Sequence, residues 1–140
     1  MTRYVVDASI AVKWFVPEIY SIQAVRLLHQ EAELLAPELI LAEVGNILWK
    51  KCRIGELDAT TAGELLQDFK RSALTIRQHA GLLETAWHIA SQYRQTFYDS
   101  LYLSLAISAE ARMATADRKF HDALAATPLA SHILWIENLD

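Results

Sequence analysis

The sequence predicts an α/β domain built on a small, mainly parallel sheet with helices on both faces. Three observations carry this. Short apolar, β-branched segments alternate with longer amphipathic ones, the pattern of β-α-β units. The helical segments take up most of the chain, so the sheet must be small and covered on both sides. A length of 140 residues, with 53% hydrophobic and 21% charged, suits one globular domain over 1–140 and not a disordered chain.

The elements follow in order. Residues 3–6, Arg-Tyr-Val-Val, read as a buried strand, and Asp7-Ala8-Ser9 as a helix start. One or two helical turns over 9–15 stop near Pro17. Residues 18–31 set Ile19, Ile22, Val25 and Leu28 at helical spacing, and Leu34-Leu35-Ala36 before Pro37 is a short strand. A long helix over 38–53 carries Ile40, Val44, Ile47 and Leu48 on one side and stops at Gly55. Asp58 caps a helix to about Phe69. Leu74-Thr75-Ile76 is a weak strand, 80–93 a helix, and Thr96-Phe97-Tyr98-Asp99 opens a helix to about Ala111. Residues 112–115 form a strand, 118–126 a short helix, and 133–136 the last strand. There is no internal repeat and no low-complexity segment.

Composition excludes several function classes. A single cysteine, Cys52, rules out an internal disulfide and a cysteine-based zinc finger. Asp7 and Lys13 interrupt the apolar N-terminus, so no signal peptide is expected, and no run reaches the roughly 20 apolar residues of a membrane span. A cytoplasmic, soluble protein is the expectation. Acidic residues number 17 against 13 basic, a net charge of −4, which argues against coating nucleic acid by bulk positive charge.

Four acids sit among apolar neighbours. Asp7 follows the first strand, Glu43 lies inside the apolar helix of 38–53, Asp99 opens the helix 99–106, and Asp117 follows the strand 112–115. In an open parallel sheet, ligands bind beyond the carboxyl ends of the strands where strand order reverses. If the first and fourth strands are neighbours, Asp7 and Asp117 converge. Glu43 and Asn46, three apart, share a helix face. Carboxylates gathered in one half-buried pocket either take up protons or hold cations, and an all-oxygen site suits Mg²⁺ or Mn²⁺. Each acid also has a plainer reading: Asp7, Asp99 and Asp117 as helix caps, Glu43 at a solvated helix edge or paired with Lys50, Lys51 or Arg53. The five histidines show no metalloprotease spacing and read as surface or helix-packing residues. Trp135 reads as core, whereas Trp14 and Trp49 suit either the core or a groove.

Taken together, Val5-Val6-Asp7-Ala8-Ser9, the run from Pro37 through Glu43 to Asn46, Tyr98-Asp99 through Ala106, and Ala114-Thr115-Ala116-Asp117 resemble the successive motifs of PIN-domain ribonucleases. Length, order and spacing are most similar to VapC-type toxins of toxin–antitoxin pairs. The resemblance implies a three-layer α/β/α sandwich and a metal site of Asp7, Glu43, Asp99 and Asp117, supported by Ser9, Asn46 and Thr115. It implies metal-dependent RNA hydrolysis with Mg²⁺ (or Mn²⁺), a cognate antitoxin and a homodimer. Arg118 and Lys119, beside Asp117, are the basic residues best placed to meet an RNA phosphate. Setting the four acids aside leaves 13 acids against 13 bases, so an acidic total is compatible with an RNA substrate bound locally.

Two alternatives stand beside this. One is a PIN-type nuclease of RNA processing. The other is a non-hydrolytic receiver-like signalling module, which would want a further acidic pair and a lysine after the last strand. Asp7 is single, and 133–140 contains no lysine.

Overall fold

In the computed structural model, which describes residues 2–139, five strands form one all-parallel sheet. They are β1 (Thr2–Val6), β2 (Ala32–Pro37), β3 (Leu74–Arg77), β4 (Arg112–Thr115) and β5 (Ile133–Trp135), in the order β3-β2-β1-β4-β5. All five were expected from the apolar runs. The central strand is buried on both faces through Tyr4, Val5 and Val6, as a covered parallel sheet requires. Val5 stands opposite Leu35 on one side and Met113 on the other. Strand order reverses between β1 and β4, so their carboxyl ends open onto a single crevice.

Among the described residues seven α-helices flank the sheet: α1 (Ala8–Val12), α2 (Ser21–Leu28), α3 (Leu39–Arg53), α4 (Ala59–Lys70), α5 (Leu83–Tyr93), α6 (Phe97–Ser108) and α7 (Arg118–Leu124). α6 packs across β1, β2 and β4, with α5 packed against it. Seven consecutive residues of α6, Ser100 to Ala106, are buried, the mark of a helix enclosed on all sides. Its two buried hydroxyls are satisfied: Ser100 donates to the Thr96 carbonyl and Ser104 to the Leu82 carbonyl. α1 packs on α3, and α3 on α4. Ile40, Val44 and Leu48 form the buried stripe of α3, while Ile47 is only half-buried.

The helix ends follow the expected chemistry at several points. Asp58 caps α4 by accepting from the Thr61 amide, and Gly55 ends α3 with a φ of +83°, where glycine avoids the Cβ clash of the left-handed region. The start of α3 has a partner that the sequence does not advertise. The Leu39 amide donates to His79 Nε2 at 2.9 Å, so this histidine is a packing residue.

α2 differs from expectation. The helix starts at Ser21, behind a turn in which Tyr20 takes a left-handed φ of 66°. Ile19 therefore lies outside it. Ile19 and Ile22 are each 71% exposed, and the buried residues are Ala24 and Leu27. Small Ala24 lets α2 come close enough for its carbonyl to accept the Trp14 indole N–H at 2.8 Å. Among the described residues no helix is long and apolar enough to cross a membrane.

Two substitutions test the direction of α2. Leu27→Ala is expected to lower unfolding free energy by about 2–5 kcal/mol and Ile22→Ala by no more than about 0.5, read by urea denaturation. Equal losses would mean that the helix faces the other way.

Candidate metal and nuclease site

The crevice at the β1/β4 switch is a cavity of about 310 Å³. Asp7, Ser9, Glu43, Asp99 and Asp117 all line it, so the four acids from distant parts of the chain meet in one place. The convergence of Asp7 and Asp117 follows from register, since β1 and β4 are paired neighbours ending at Val6 and Thr115.

Asp7 and Asp117 are helix caps, as the plainer reading had it, and both also line the cavity. Asp7 caps α1, where its Oδ1 accepts the Ile10 amide at 2.9 Å and the Ser9 hydroxyl at 2.7 Å. Asp117 caps α7 by accepting the Phe120 amide at 3.1 Å. Thr115, fully buried, accepts the Asp117 amide through its hydroxyl at 3.0 Å and so fixes the turn that aims Asp117. Asp99 is not a cap. Thr96 caps α6 through its hydroxyl, which accepts the Asp99 amide. That leaves the Asp99 carboxylate in the first turn, facing the cavity.

Among the described residues Glu43 forms none of the ion pairs considered for it. Its Oε1 accepts the Tyr102 hydroxyl at 2.6 Å. Tyr102 comes from the middle of α6, is 1% exposed, and lines the cavity. Sequence reading passed over it because an aromatic in an apolar helix reads as core. Its position three residues after Asp99, on the same helix face, was the available signal.

Lys13 is the one cation among the described residues lining the cavity. At 8% exposure it needs a partner, and its Nζ lies 3.0 Å from Glu18 Oε1. Lys51 of α3 grips the other Glu18 oxygen at 3.3 Å and Glu56 at 3.2 Å. Burial pushes Glu18 up, but the bonds and charges of the two lysines outweigh it and hold the carboxyl below its usual range.

Two of the cavity acids, Asp7 and Asp99, show the opposite behaviour. Burial, against the bonds from Ile10 and Ser9 and with the charges of Asp99 and Glu43, pushes Asp7 up to about 6. Burial also raises Asp99, helped by the charge of Asp117 and opposed by Thr96. The Tyr102 hydroxyl is raised by burial and by its bond to Glu43, so it stays a donor at any working pH. A site that strains to keep its carboxylates ionised is relieved by a cation. The all-oxygen donor set fits a hard divalent ion. Among the described residues, no three Asp, Glu, His or Cys side chains close a ready-made cage. An ion held by one or two carboxylates and several waters, as Mg²⁺ prefers, is what such an open site accepts.

The remaining predicted residues lie elsewhere. Asn46 is exposed and does not line the cavity. Arg118 stacks over the Trp135 ring, 3.7 Å from its centroid, and reaches Asp122 at 4.0 Å, so its head is engaged away from the acids. Lys119 lines an adjoining groove. Trp135 is core at 4% exposure, Trp14 packs at the core's edge, and Trp49 is exposed.

Comparison with known proteins follows the same lines. The sequence profile of the PIN domain family matches residues 4–124. Ribonuclease VapC3 of Pyrobaculum aerophilum is 35% identical over 119 residues, covering 84% of this chain and 91% of that one. PAE2754 of the same organism shares the fold with a TM-score of 0.68 at 27% identity, covering 87% of this chain and 79% of that one. A toxin–antitoxin complex from Klebsiella pneumoniae gives a TM-score of 0.67 at 12% identity, covering 95% of this chain and 97% of that chain.

Two outcomes test the electrostatics. Since Asp7 is raised from 3.8 to about 6, the unfolded chain gives up that proton first as pH rises. The contribution of Asp7 to the stability of the cation-free protein therefore falls between pH 3.8 and about 6 and levels off above. Asp7→Asn removes this fall and is expected to stabilise the cation-free protein by about 1–3 kcal/mol at pH 7.5 and by almost nothing near pH 4, read by thermal unfolding. Tyr102→Phe is expected to cost about 1–2 kcal/mol by releasing Glu43; an unchanged urea midpoint would show that the bond contributes nothing.

Proposed function

The chain belongs to the PIN domain family, and from that premise we propose that it is a divalent-cation-dependent endoribonuclease, the toxin of a toxin–antitoxin pair. The observation that carries the reading is the meeting of Asp7, Glu43, Asp99 and Asp117 in one cavity at the switch point of the sheet. The VapC3 relative is named a ribonuclease, which supports RNA as substrate. Family membership sets aside the receiver-like alternative.

Asp7, Glu43, Asp99 and Asp117 would hold the ion, Mg²⁺ or Mn²⁺, most of them through its waters. When bound, such an ion supplies Lewis acidity, making a water acidic enough to attack a phosphodiester near neutral pH and offsetting the charge that builds on phosphate. The chain's own residues prepare the place. Ser9 and the Ile10 amide fix one oxygen of Asp7, leaving the other free to face the cavity. Tyr102 holds Glu43 in the same way. Thr115 sets the turn before Asp117. Lys13, held by Glu18, places one positive charge at the wall, where an approaching phosphate would meet it.

The toxin role brings two partners, a cognate antitoxin and a second copy of the chain. Likeness to a toxin–antitoxin complex supports the first. Exposed Ile19 and Ile22, beside a groove of Trp14, Phe15, Val16 and Val25, offer the apolar surface that a partner segment needs. The proposed place of action is the cytoplasm, with 1–140 acting as one nuclease domain.

The test is RNA cleavage by the purified protein with Mg²⁺ or Mn²⁺, against the same reaction in EDTA. Cutting is expected only with the ion, and Asp99→Asn is expected to slow it on the order of 10²-fold or more. A variant as fast as wild type would sink the assignment. Growth arrest on induction, relieved by co-expression of the neighbouring reading frame, separates toxin from processing nuclease.

A further inference from the structure

Behind the wall formed by Asp99 and Asp117 lies a second hollow, of about 290 Å³, just below the roughly 300–1,000 Å³ usual for small-ligand pockets. Both acids border it and the acid cavity, so the two hollows adjoin. Its other polar walls are Arg94, Gln95, Thr96 and Lys119. We propose that this groove is a subsite for the RNA phosphate next to the one that is cut, gripped by Arg94 and Lys119. The inference rests on the ribonuclease reading above and adds to it where the chain beyond the cut would lie.

Three observations support it. First, these two cations are uncommitted. Arg26, Lys50, Arg53, Lys70, Arg94, Arg112 and Lys119 have no carboxylate within 4.0 Å among the described residues, and of these Arg94 and Lys119 share a groove with Asp99 and Asp117. They leave Asp99 and Asp117 unpaired although they share a groove with them, so both charges stay free, the acids for a cation and the bases for an anion.

Second, Arg94 is held there at a conformational cost. It ends α5 with φ 56° and ψ 45°, a left-handed position where a glycine or asparagine is the usual choice. Arginine in that place presents a planar, always-charged fork suited to two phosphate oxygens, with Lys119 as a point charge from the first turns of α7. Third, the net charge of −4 forbids a general grip on RNA, so affinity must come from a few cations set beside the acids. Arg118, the neighbour that sequence alone favours, is stacked on Trp135 and cannot serve in this groove as it stands.

The test is fluorescence anisotropy of a labelled single-stranded oligoribonucleotide with the full-length protein in EDTA over a salt series, so that binding is read apart from cleavage. Arg94→Asn removes the charge and keeps a residue that accepts left-handed backbone. Paired with Lys119→Gln it is expected to weaken binding about tenfold at moderate salt and to flatten the slope of log affinity against log salt by about 0.7 for each phosphate-binding cation removed. Lys70→Gln, which removes the same charge from the far end of α4, is expected to bind like wild type. Should the double variant unfold early in a thermal scan, Lys119→Gln alone carries the test, with an expected weakening of about threefold. If the groove variants bind like Lys70→Gln, the subsite is overturned. If wild type binds RNA but leaves it whole with Mg²⁺ and Mn²⁺, the nuclease reading falls while anisotropy still decides the groove.

Discussion

The pairing of β1 with β4 is the constraint on which the rest depends. These strands are more than a hundred residues apart in the chain, yet their register aligns Val6 with Ala114. That alignment brings Asp7 and Asp117 to the same edge, because each is the first or second residue past its strand. α6, buried on all sides against β1, β2 and β4, then delivers Asp99 and Tyr102 to that edge, and Tyr102 reaches across to Glu43 on α3. Carboxylates so placed lose hydration and, to a smaller degree, repel one another, which is why Asp7 and Asp99 are raised. The fold tolerates this because the surrounding apolar core is large and the repulsion is confined to one crevice.

Opposed to that repulsion is a short chain of attraction. Lys13, Glu18, Lys51 and Glu56 alternate in sign and tie α1 and the turn after it to α3. Asp7 and Glu43 belong to the same two helical segments, one as the cap of α1 and the other inside α3. The ion-pair chain therefore holds the distance between two acids that would otherwise push apart. Partly buried pairs of this kind are screened less by salt than surface pairs.

Much of the fold was legible because its signals are local. Five apolar runs became five strands, Gly55 and Asp58 punctuated the helices as expected, and the four acids stood out against apolar neighbours. The errors came where a residue's meaning depends on what packs against it. The α2 stripe failed because spacing shows that apolar residues share a face but not which face meets the core, and small Ala24 carries more of the packing than Ile22. Asp99 looked like a cap because Thr96, three residues earlier, competes for the same role and wins it. Tyr102 and Arg94 were invisible: the first reads as one more apolar ring, and the second owes its importance to a backbone angle that no composition rule records. The site residues whose geometry depends on one short turn, Ser9 and Thr115, lay where the pattern put them, while Asn46, one helical turn beyond Glu43, did not reach the cavity.

Strand order has a consequence for synthesis. β2 and β3 can lie against β1 as soon as they emerge from the ribosome, but β4 joins on the opposite side and arrives late. Until residue 117 has been translated, Asp7 and Glu43 have no fourth carboxylate opposite them, and β1 keeps one open edge. A chain that has reached only β3 therefore lacks the full acid crevice and exposes an unpaired strand edge. The stretch from α6 through β5 closes that edge and sets Asp99 and Asp117 beside Asp7 and Glu43, so the sheet and the acid crevice are completed by the same segment of chain.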